Sequence, residues 1–90
     1  MIDVVVRLNS FLRVAIGSSE VTLSLKDNAT LVDLVYAMSR EYGEDVKKNL
    51  IDSKTGNVKI LFSVNRKKAV KEEILKSGDI VALFPPLSGG

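Results

Sequence analysis

The sequence predicts an α+β domain in which one long amphipathic helix packs across a mixed β-sheet. Three observations lead there. β-Branched, strongly apolar segments stand at both ends of the chain, and a helical stripe of apolar residues lies between them. The chain has 90 residues, 46% of them apolar and 27% charged, which is the composition of an ordinary globular domain. Divided between two cores, it would leave each about 45 residues, near the lower limit for folding unaided.

Residues 2–8 (Ile-Asp-Val-Val-Val-Arg-Leu) read as a strand buried mainly on one face. Asn9-Ser10 and Gly17-Ser18-Ser19 are turn chemistry around an apolar run from Phe11 to Ile16, so 9–19 is expected to be a connection. Residues 20–26 alternate polar and apolar, the period of a half-buried strand, antiparallel to the first if the connection is a hairpin. Asp27-Asn28-Ala29 breaks that pattern, and Thr30 opens a helix over 30–43. Its hydroxyl can accept from the Asp33 amide, and the Asp33 carboxylate suits the positive first turn. Leu31, Leu34, Val35, Met38 and Tyr42 form the apolar stripe, and Gly43 is a natural left-handed stop. Residues 44–51 suggest a shorter helix with Val46, Leu50 and Ile51 buried.

Lys54-Thr55-Gly56-Asn57 is a turn, and Val58 to Val64 a third strand with Ile60, Phe62 and Val64 on one face. In the polar stretch 65–78, Ala69-Val70 and Ile74-Leu75 suggest a short strand and a connecting loop. Ser77-Gly78-Asp79 turns the chain into a nearly all-apolar strand, Ile80 to Phe84, of central character. Pro85-Pro86 ends it, because neither residue can donate to a ladder. The first and last strands are the most apolar, so they should lie side by side in the middle of the sheet. Their distance in sequence permits a parallel pairing. A sheet clasping one helix in this order is the ubiquitin-like β-grasp.

The composition also excludes functions. With no cysteine and no histidine, the chain lacks a thiolate nucleophile, a disulfide, and the commonest general base and metal ligand. No metal or cofactor is expected to bind. No apolar run approaches the ~20 residues of a membrane span, and the start has no secretory pattern. No membrane association is therefore expected, and a cytoplasmic location is. Residues 1–45 carry four basic and seven acidic side chains, and residues 46–90 nine basic and four acidic. The basic half suits an acidic protein partner or is simply a solvated face. Nucleic acid is not the expected partner, because only five aromatics are available to stack on bases. Arg66-Lys67-Lys68 with Lys71 reads first as a solvated charge run. Glu44-Asp45 and Glu72-Glu73 are adjacent acids that point apart and have no companion for acid–base work.

The chemistry-bearing stretch is Phe84-Pro85-Pro86-Leu87-Ser88-Gly89-Gly90. Two prolines favour an extended backbone that pushes residues 87–90, a diglycine tail, away from a domain spanning 1–86. From Leu87 onward, roughly 12–14 Å of chain can reach into a partner. Gly89 and Gly90 lack a β-carbon and so can thread a narrow channel. A frayed, inert end is the plainer reading of the same residues.

This stretch, preceded by Ser77-Gly78-Asp79-Ile80-Val81-Ala82-Leu83, resembles the C-terminus of the small subunit of molybdopterin synthase. It also resembles the related archaeal small ubiquitin-like modifiers. Phe11-Leu12-Arg13 and Asn28-Ala29-Thr30-Leu31 are similar to that family too. Leu83 departs from it, standing where an aromatic is common, and Ser88 stands where small residues vary. The thiamine sulfur carrier, usually shorter and without Pro-Pro, is less similar.

The resemblance implies a ubiquitin-like sulfur carrier. A ubiquitin-activating-type adenylyltransferase would use ATP and Mg to adenylate Gly90, which would become a thiocarboxylate. The large catalytic subunit of molybdopterin synthase would then receive its sulfur for the pterin precursor of the molybdenum or tungsten cofactor. On this view the chain is the sulfur-donor subunit of a sulfurtransferase and not a catalyst by itself. Phe84, Pro85, Pro86 and Leu87 would contact the partners, although Phe84 could instead face the helix. The alternative function is a modifier conjugated through Gly90 to lysines of target proteins. A third is a passive binding module with an inert tail.

Overall fold

The computed structural model describes residues 1–8 and 10–84; the side chain of Ser10 is left aside. The elements are β1 (Ile2–Arg7), α1 (Ser10–Ile16), β2 (Glu20–Leu25), α2 (Leu31–Tyr42), α3 (Glu44–Leu50), β3 (Leu61–Val64), β4 (Lys67–Ala69) and β5 (Ile80–Phe84). The strands form one mixed sheet in the order β2-β1-β5-β3-β4. β1 and β5 are central, adjacent and parallel, with Val5 beside Ile80 and Arg7 beside Ala82. β2 pairs antiparallel with β1, and β3 pairs antiparallel with both β4 and β5. This is the β-grasp, with α2 as the clasped helix.

α2 starts where the sequence says it should. The Thr30 hydroxyl accepts from the Asp33 amide at 3.3 Å, and the Asp33 carboxylate accepts from the Thr30 amide at 2.9 Å. The next two amides, of Leu31 and Val32, donate to the carbonyls of Glu73 and Lys71, so a distant loop completes the cap. Leu31, Leu34, Val35 and Met38 are fully buried against Val4 and Val6 of β1 and Val81 and Leu83 of β5. Buried Ser39 is satisfied within the helix, donating to the Val35 carbonyl at 2.9 Å.

Four expectations need correction. Residues 10–16 are a helix, not a turn-flanked connection, while Asn9 lies outside the described residues. Leu12 is buried and Ile16 half-buried one turn later, and Gly17, at φ +84°, ends the helix by donating to the Arg13 carbonyl. Gly43 has positive φ but an extended ψ of −170°, so it is not an ordinary left-handed cap. It closes α2 and opens α3 at once. The third strand starts at Leu61, because Val58 makes only an isolated bridge to Ile51; the buried face of Ile60, Phe62 and Val64 is nevertheless as expected. The short strand falls on 67–69, leaving Val70 and Ile74 exposed and Leu75 buried.

Candidate functional site

Alternation along β5 sends Val81 and Leu83 into the core and leaves Ile80, Ala82 and Phe84 on the opposite face. Register then assembles a surface around them. Val5 and Arg7 lie beside Ile80 and Ala82 on one side, and Ser63 and Leu61 beside Ala82 and Phe84 on the other. The helices contribute their buried residues to the other face of the sheet, in the same cluster as Val4, Val6, Val81 and Leu83. Among the described residues, no element covers this face. Ile80, Leu61 and Phe84 are exposed by 40%, 46% and 43%, a contiguous apolar strip ending at the last described residue.

Because β1 runs parallel to β5, its C-terminal end and α1 lie at the end of the sheet where β5 stops. There α1 adds two further exposed apolar side chains, Phe11 and Val14. Alongside the first half of β5, Arg7, Ser63, Asn65, Arg66, Ile80 and Ala82 line a groove of about 280 Å³. Arg7 Nε lies 3.7 Å from a Glu20 carboxylate oxygen, and both side chains are more than half exposed, so the pair holds Arg7 weakly. Asn65 fixes the groove wall: its amide donates to the Ile80 carbonyl at 2.8 Å, and its side-chain oxygen accepts from the Ile80 amide at 3.0 Å.

Of the residues singled out by sequence, Phe84 stands at the end of β5, turned away from the helix. The central character expected of 80–84 holds for the sheet position and for buried Val81 and Leu83, while Ile80 and Phe84 are exposed. Pro85, Pro86, Leu87, Gly89 and Gly90 lie outside the described residues, as does the expected boundary at residue 86. Arg66, Lys67, Lys68 and Lys71 are all exposed. Glu44 and Asp45 occupy the first turn of α3, where their charge suits the helix dipole. Sequence reasoning missed Leu61, Ile80 and Arg7 as parts of one face. The available signal was that the outward positions of β5 are as apolar as its inward ones.

Neither group with a shifted pKa lies on this face. The Thr30 amide is the main cause holding the Asp33 carboxyl below its ordinary value. Burial opposes it, and Lys26 and the Thr30 hydroxyl add to it. Burial, then the charge of Glu41, pushes the Tyr42 phenol up. Among the described residues no group of three or more carboxylates is placed to hold a metal ion. None of their helices is long and apolar enough to cross a membrane.

Comparison with known proteins adds what geometry alone does not give. The sequence pattern of the ThiS family matches residues 6–90, nearly the whole chain, through to Gly90. The chain belongs to the ThiS family. Among curated protein sequences, none matches. A crystal structure of SAMP1, a small archaeal modifier protein from Haloferax volcanii, is 26% identical. It covers 98% of this chain and 99% of its own, with a TM-score of 0.82. The putative molybdopterin converting factor, subunit 1, from Pyrococcus furiosus is 25% identical over 97% and 100%, with a TM-score of 0.80. The Amycolatopsis orientalis BexX/CysO complex contributes a neighbour 23% identical over 97% and 99%, TM-score 0.68, and shares the fold. This ThiS-family chain is thus one of the ubiquitin-like sulfur carriers or modifiers.

Proposed function

We propose that this protein is a sulfur carrier of the molybdopterin synthase small-subunit type, with Gly90 as the reacting residue. The family match running through to Gly90 is the observation that carries the reading. In the first step the Gly90 carboxylate attacks the α-phosphate of ATP on a partner adenylyltransferase. An acyl–phosphate bond forms, and pyrophosphate leaves. Hydrosulfide then attacks the carbonyl carbon, forms the C–S bond and expels AMP, and loss of its proton leaves the chain ending in a thiocarboxylate. That group passes its sulfur to the pterin precursor on a large catalytic subunit.

The acyl-adenylate is an activated mixed anhydride, so the carrier itself needs no base, metal or nucleophile. A chain without cysteine or histidine is compatible with that role. The ATP and Mg belong to the activating enzyme. The carrier's own contribution is a rigid sheet, an open apolar face for docking, and a slim C-terminal approach through Gly89. The similarity to SAMP1 favours a second reading, conjugation through Gly90 to lysines of target proteins, which shares the activation step. The test is the intact mass of the protein from its own cells. Replacement of oxygen by sulfur, placed on Gly90 by fragmentation, supports the carrier. Gly90 found only as free carboxylate or in isopeptide linkage to lysine overturns it.

A further inference from the structure

We infer that Arg66 and Arg7 read an acidic side chain of the activating enzyme, seating its carboxylate in the groove alongside the first half of β5. The inference rests on the proposed function only through activation, the step that sulfur transfer and conjugation share. Arg66 follows Asn65 in the two-residue loop between β3 and β4, and the pair have φ of +71° and +51°. Both values place them in a primed hairpin turn, whose second position favours glycine. Arginine there is strained, and the turn does not depend on its side chain. Asn65 makes the structural bonds, donating to the Ile80 carbonyl and to Asp79 Oδ1 and accepting from the Ile80 amide.

What Arg66 adds is a guanidinium on the wall of a groove that already holds Arg7 and that, among the described residues, no carboxylate lines. Of the nearby acids, Glu20 lies 3.7 Å from Arg7 on the β2 side, a weak exposed pair that leaves Arg7 able to turn to a partner's carboxylate. Asp79 is taken up by the Asn65 side chain at 3.0 Å and the Lys76 amide at 2.8 Å. Lys68, the register partner of outward-facing Ser63, is exposed on the same face and strengthens the positive field. Two planar donor forks suit a carboxylate. The Ile80 and Ala82 side of the groove is apolar, so the attraction strengthens when a docked partner excludes water.

The experiment is ATP–pyrophosphate exchange by the cognate activating enzyme against carrier concentration, with thermal melts of each carrier. Arg66→Gly is expected to raise the KM for carrier about fivefold while the rate at saturation is kept. Its Tm should be unchanged or higher, because glycine relieves the positive φ. Arg66→Glu and Arg7→Glu should raise KM further, and the wild-type advantage should shrink as salt is added. KM values equal to wild type overturn the inference, and so does a KM rise in Arg66→Gly accompanied by a lower Tm. If the wild-type chain supports no exchange, the carrier reading itself fails, and the inference with it.

Discussion

At the scale of single residues, Phe84 and Asp33 illustrate opposite uses of a side chain. Phe84 is 43% exposed beside Leu61, so it contributes little to the core and much to the apolar strip. Phe84→Ala should weaken binding to the activating enzyme by about 1–3 kcal/mol, the range of a moderate hot spot. Titration calorimetry and a melting curve check this. A large fall in Tm with unchanged affinity would make Phe84 a core residue after all. Asp33 works only within the fold, closing the reciprocal cap with Thr30. Thr30→Ala should cost about 1 kcal/mol. Because the folded pKa of Asp33 lies below its unfolded one, its stabilisation is present above the unfolded value and lost as pH falls through the folded one. Denaturant melts between about pH 2 and 5 should therefore show a shallower acid loss in Asp33→Asn. An acid limb identical to wild type would remove Asp33 from the account.

At the scale of elements, legibility in the sequence followed the amount of periodic signal. β2 alternates cleanly, and α2 repeats its apolar stripe over three turns behind a complete cap, so both were placed to within a residue or two. α1 is two turns long, buries Leu12 and half-buries Ile16, and exposes Phe11 and Val14. Its apolar residues therefore do not form a stripe, and the flanking Asn9-Ser10 and Gly17 look like turn chemistry. β3 was read too long because Val58 and Ile60 keep the alternation of a strand while the backbone still bridges back to α3 and its flank, Lys59 to Leu50 and Val58 to Ile51. The packing of α1 is testable through its buried anchor. Leu12→Ala should destabilise by about 2–5 kcal/mol, whereas Val14→Ala, at a surface position, should stay within about 0.5 kcal/mol. Equal effects in equilibrium unfolding would mean that α1 is not docked as described.

At the scale of the whole molecule, the parallel β1–β5 pair ties the first and last described strands into the centre of one sheet. The element order revealed this fold, and the residues after Phe84, outside the described part, carry the reactive end only as proposed above. The open face was not legible, because an apolar strand looks the same in sequence whether a second layer or a partner covers its outer side. If the proposed function holds, such a construction separates stability from chemistry, and Gly90 is where the two part. Deleting Gly90 should abolish adenylation while changing stability by no more than about 0.5 kcal/mol, as for a terminal residue with few buried contacts. Adding one residue after Gly90 should do equal damage. It displaces the carboxyl from the α-phosphate by about 3.3–3.6 Å, and errors of about 1 Å already cost on the order of a hundredfold in rate. Substituting Gly89 with a bulky residue should fall between these extremes, since it obstructs the approach without moving the reacting group. ATP–pyrophosphate exchange with the cognate activating enzyme measures all three. Wild-type exchange by both the shortened and the extended chain would show that the reaction occurs elsewhere, whatever the family resemblance.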